Sequence, residues 1–151
     1  MNLAAPNLVL VPLDLSAPSL VAVTTALSVA PPERVHLVHV LPVAGPLAWA
    51  VTTGSHADPR VASSEARVRQ ALTGHGLDSG RFAVHVRVGA PGPEICELSD
   101  QLGADLIIIG AHGLGRAHRA GEGALTRLLF GSVASDVVQT ATRPVLVMRE
   151  A

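Results

Sequence analysis

The chain contains no lysine; all 11 of its basic residues are arginine. That absence excludes a Walker-type phosphate loop, which sets a lysine on the phosphates, and Schiff-base chemistry on a lysine amine. Tyrosine is absent too, and Trp49, Phe82 and Phe130 are the whole aromatic set. There is no aromatic platform for bases to stack on, and a net charge of −1 stands in place of a basic footprint. Nucleic-acid partners are therefore not expected. Cys96 is the single cysteine, which excludes an internal disulfide and any Cys–Cys metal spacing; its helical context predicts a small buried hydrophobe. The apolar stretch Val35–Thr53 is broken by His36, His39, Pro42, Gly45 and Pro46, so no membrane span is expected. Met1–Pro6 lacks the charged opening of a secretory signal, and the expected location is cytoplasmic.

What is present is aliphatic. With 151 residues, 48% hydrophobic and 15% charged, the chain reads as one globular domain over 1–151. Leu8–Val11 is apolar on both faces and reads as a central strand; Ser16 caps a helix to about Ala30. Arg34–Leu41 is a second strand. Asp58-Pro59 opens a helix with Val61, Val68 and Leu72 inward, closed by Gly74 or Gly76. Phe82–Val88 alternates strictly, as a strand near a sheet edge does. A helix over Pro93–Leu102 follows, stopped by Gly103, then a strand Asp105–Ile109, a helix to about Thr142 and a last strand Pro144–Met148. Alternation of this kind predicts α/β architecture: an open five-stranded parallel sheet with helices on both faces. Ligands of such sheets sit at the carboxyl ends of the strands. Those ends are Asp14, Val40–Pro42, Gly89 and Gly110–Gly113.

Two small-residue turns stand out at these ends. Leu106–Ile109 stops abruptly at Gly110-Ala111-His112-Gly113, and Gly131-Ser132 opens another helical pattern. Glycines let backbone N–H groups approach an anion, and a helix start adds partial positive charge. The segment between carries Arg116, His118, Arg119 and Arg127. His36 and His39 lie three apart on a strand, so they face opposite sides and cannot chelate together.

Leu10–Ser16, His36–Val40, Gly89, Ala104–Gly113, Leu128–Ala134 and Arg143–Arg149 together resemble the universal stress protein family over essentially the whole chain. The resemblance implies an adenine nucleotide alpha hydrolase-like, Rossmann-like fold, a role in stress response and frequent dimers. ATP-binding members carry Gly, two residues, Gly, nine residues, then Gly and Ser or Thr. Carried over, Gly110, Gly113, Gly131 and Ser132 would wrap phosphates and ribose, with Ile109, His112, Arg127 and Val133 beside them. Pro12, Leu13 and Asp14 would hold the adenosine end, and the Val40 backbone would meet adenine. The chain departs from the motif at one point, because seventeen residues separate Gly113 from Gly131. The extra eight fall roughly within Gly115–Gly123. Nearly doubling a loop costs only about 0.6 kcal/mol. A hydrogen bond to a charged phosphate is worth roughly 1.5–3 kcal/mol, so one well-placed arginine offsets it.

His112 has no acid or nucleophile positioned with it in sequence, and no catalytic or metal-ligating residue is assigned. The leading expectation is an ATP-binding sensor or regulatory module, with Mg2+ on the phosphates and at most slow hydrolysis. It would act as a homodimer through the apolar last strand, Pro144–Met148, whose position at a sheet edge invites pairing. The alternative is a nucleotide-free dimerisation or protein-interaction module, in which the insertion and the Val43–Thr53 loop form a partner surface.

Overall fold

Five short apolar segments line up in one parallel sheet: β1 (Val9–Pro12), β2 (Val35–Leu41), β3 (Ala83–Val88), β4 (Leu106–Gly110) and β5 (Val145–Met148). Their spatial order is β3-β2-β1-β4-β5, and every pairing is parallel. The structure, a computed structural model, describes residues 5–43, 58–112 and 131–149. Among the described residues, four α-helices connect the strands: α1 (Ala17–Val29), α2 (Arg60–Gly74), α3 (Pro91–Leu102) and α4 (Ser132–Thr140).

The central strands are continuous apolar runs because both of their faces are covered. Side chains alternate across the sheet. Val9, Val11, Leu37 and Ile108 meet Ala22, Val23 and Ala26 of α1 and Val68 and Leu72 of α2. Leu10, Val38, Ile107 and Ile109 meet Ile95 and Leu98 of α3 and Ala134 and Val137 of α4. The strictly alternating β3 lies at one edge and β5 at the other. At β5, Leu146 is 42% exposed.

Several local expectations shift. Ser16 occupies the α1 N-cap position, but its hydroxyl donates to Asp14 instead of capping. Helix α2 begins one residue later than expected, although Asp58 Oδ1 still accepts the Arg60 N–H at 2.9 Å. Ser64, not Val61, is its third buried residue beside Val68 and Leu72. Helix α3 starts earlier, at Pro91, because proline suits the first helical turn. Gly103 ends it in the left-handed conformation, φ +65°. Helix α4 ends at Thr140, where Ala141 turns extended. Cys96 is only partly buried, with Sγ 3.3 Å from Thr140 Oγ1 between α3 and α4.

Candidate functional site

The strand order runs outward from β1 to β2 and β3 on one side and to β4 and β5 on the other. The switch point therefore lies between β1 and β4, where the following helices leave toward opposite faces: α1 on one, α4 on the other. A crevice at such a point is where open α/β sheets take their ligands. The Val9–Leu106 and Leu10–Ile107 pairs set β1 and β4 side by side, and Pro12 pairs with Val38 on the other flank. Pro12–Asp14, Val40, Ile109–His112 and Gly131–Val133 thus share one rim.

On the β1–β2 side, Leu13 is held twice. Its amide donates to the Val38 carbonyl at 2.8 Å, and its carbonyl lies 2.7 Å from His39 Nδ1. Asp14 Oδ1 accepts from the Ser16 amide at 2.9 Å and from the Ser16 hydroxyl. Between them Leu15 takes φ +68°, the sole positive φ at a non-glycine position among the described residues. Val40, next to His39, pairs with Arg87 in the β2–β3 ladder.

On the β4–α4 side, backbone does the holding. Gly110 is the last residue of β4, and a Cβ there would stand 2.9 Å from the Pro18 carbonyl carbon and 3.0 Å from the Ser19 nitrogen. The first turn of α1 therefore rests on Gly110 itself. The Gly131 amide donates to the Ala111 carbonyl at 2.5 Å, joining the β4 exit to the α4 entrance. Gly131 is the α4 N-cap and carries no side-chain oxygen with which to satisfy the first amides of the helix. Ser132 is the first helical residue, and Val133 is partly buried against the α3–α4 core. His112 follows β4 and is half-buried. Gly113, Arg127 and the insertion at Gly115–Gly123 lie outside the described residues.

The model of the "Universal stress protein family" matches residues 7–149. The chain belongs to this family. Universal stress protein G of Salmonella typhimurium (strain LT2) is 33% identical over 119 residues, 76% of this chain and 77% of that protein. The universal stress protein UspA from Lactobacillus plantarum shares the fold with a TM-score of 0.66 at 24% identity, over 97% of this chain and 99% of its own. A universal stress protein solved in complex with cAMP superposes with a TM-score of 0.55 at 25% identity, covering 95% and 96% of the two chains.

Two polar clusters of this universal stress protein involve side chains that the sequence-derived site does not include. Glu94, in the first turn of α3, is 2% exposed; its Oε1 would stand 2.6 Å from a Cβ on Gly89. Its Oε2 lies 3.7 Å from Arg87 Nε, an ion-pair distance too long for a hydrogen bond. Burial pushes the Glu94 carboxyl above its ordinary value; Arg87 opposes that and Glu97 adds to it. The second cluster joins neighbouring strands, with His36 Nδ1 3.0 Å from His85 Nε2 and the rings within 21° of parallel. One ring must donate and the other accept, which requires at least one neutral imidazole. Burial holds both below the usual histidine range, and for His85 the charges of His36 and Arg87 act the same way against Glu65. In sequence, Glu94 beside the inward Ile95 was a usable signal. The histidine pair was not, because 49 residues separate its members. Among the described residues, no group of three or more His, Cys, Asp or Glu side chains could hold a metal ion. Nor is any described helix long and apolar enough to cross a membrane.

Proposed function

We propose that this universal stress protein binds an adenine nucleotide, ATP with Mg2+ on its phosphates, across the β1–β4 switch point. Protein and ligand would form a sensor or regulatory module within a single domain over 1–151. The observation that carries this reading is the shared rim: Pro12–Asp14 and Val40 on one side, Gly110 and the glycine-capped start of α4 on the other. A helix start whose N-cap has no side chain offers its amides and its dipole to an anion. Glycine at the β4 exit lets the first turn of α1 come up close against this strand end. The similar universal stress protein solved in complex with cAMP supports an adenine ligand.

In this reading Asp14 serves the adenosine end, Val40 the base, and Ile109, Gly110, His112, Gly131, Ser132 and Val133 the ribose and phosphates. Gly113 belongs to the family motif in sequence, and Arg127 precedes its second half, Gly131-Ser132. No described residue is assigned as a general base, and hydrolysis would be slow at most. The β5 edge, with Leu146 exposed, supports a homodimer through Pro144–Met148, in the cytoplasm. Calorimetric titration with ATP and magnesium tests the ligand, with adenosine and cAMP as competitors. Saturable binding displaced by both is expected. No heat at millimolar ATP would overturn the nucleotide reading, and a dimer retained in that case favours the nucleotide-free interaction module. Sedimentation of a Leu146→Asp variant tests the dimer, which should dissociate.

A further inference from the structure

His39 stands at the junction of the two segments read above as the adenosine end. It precedes Val40 on β2, and its ring reaches across to the Leu13 carbonyl, next to Asp14. A carbonyl oxygen only accepts, so Nδ1 carries a proton and donates it to Leu13. With the Leu13 amide already bonded to Val38, both polar groups of Leu13 are tied to β2. Beyond this double tie the chain passes through Asp14 into Leu15, whose φ of +68° is a conformation that L side chains resist. A backbone held in that region relaxes when its restraints are removed, and Asp14 would move with it.

We propose that His39 is a positioning residue for nucleotide recognition: its Nδ1–H fixes the Leu13 carbonyl, and through it sets Asp14 and the Val40 backbone in register around one adenosine. The inference rests on the nucleotide-binding reading and gives that site a residue which touches no ligand.

The test is calorimetry on the full chain with three probes: ATP, adenosine and inorganic tripolyphosphate. His39→Leu removes the donor at similar bulk. It should weaken ATP and adenosine by the same factor, about tenfold, and leave tripolyphosphate unchanged. His39→Asn sets an amide N–H close to the place of Nδ1 and should recover most of the loss. A His39→Leu protein that binds ATP like the unaltered chain overturns the proposal, as does equal weakening of tripolyphosphate, which would signal general loosening of the fold. Equal affinities for the Leu and Asn variants overturn it too. If His39→Leu does not fold, His39→Gln replaces it. Its amide sits one bond farther out, so it should bind more weakly than His39→Asn, and equality counts against the clamp. Failure of the unaltered chain to bind ATP or adenosine is a separate result, which removes the nucleotide reading and the proposal with it.

Discussion

At the β1–β2 end of the rim the backbone is held by side chains; at the β4–α4 end it is held by their absence. His39 and Ser16 tie down Leu13 and Asp14 through hydrogen bonds. Gly110 accepts the first turn of α1 directly against its Cα, and Gly131 is joined to Ala111 amide to carbonyl. The first arrangement tolerates any substitution that supplies a matching donor. The second tolerates almost none, because backbone cannot step aside as a flexible side chain can. One rim therefore has a tunable half and a rigid half, and its variants should divide accordingly.

The sharpest way to break this contrast is Gly110→Ala. Its methyl would meet Pro18 and Ser19 backbone at 2.9–3.0 Å, so α1 must shift, at a cost of about 2 kcal/mol. Urea unfolding measures it, and an unchanged midpoint would mean that α1 does not need the close approach. Asp14→Ala should cost somewhat less, about 1–2 kcal/mol, by removing the acceptor shared by the Ser16 amide and hydroxyl. Asp14→Asn, which keeps an acceptor oxygen, should recover part of that loss in the same assay. No difference between the two variants would argue against the hydrogen-bonded account of this half.

Two smaller effects concern the two polar clusters, and they have opposite signs. His36 and His85 are held below the usual value of 6.5, so the folded state favours neutral rings. Their contribution is present above pH 6.5 and is lost as pH falls from there toward the folded values. His36→Leu should flatten the decline in unfolding free energy between about pH 7.5 and 5. Glu94 is raised above 4.5, so its contribution is full below that pH and is lost as pH rises through the folded value. Glu94→Gln should remove that alkaline-going loss, seen as a smaller stability difference between mildly acidic and neutral pH. A steeper profile in either variant would mean that burial does not disfavour the charged forms of these groups.

The strands were legible in sequence wherever one physical demand dominated. Leu106–Ile109 could be only a strand covered on both faces, and the alternation at Phe82–Val88 placed β3 at an edge. Both readings agree with the sheet order. Helix ends were less legible, since Ser16 has two nearby uses for its hydroxyl and the carboxylate of Asp14 takes it. The rim residues Asp14, Val40, Gly110 and Gly131 could be picked out because strand ends and glycines mark them. His39 could not, because its value depends on a carbonyl 26 residues away. Cys96 shows the converse limit: its partial exposure follows from how closely α3 approaches α4.

By itself, then, the sequence determined the parallel α/β class, the membership of each strand and the family. These follow from local periodicity and from the glycines and prolines that punctuate it, information carried within a few residues. Only the tertiary structure decided that Leu13 is clamped by His39, that Gly110 is needed by α1, and that His36 shares a proton with His85. Each of these is a contact between segments that meet only through the order of strands in the sheet. That order is set by the burial of whole faces against helices, not by any residue's neighbours in the chain.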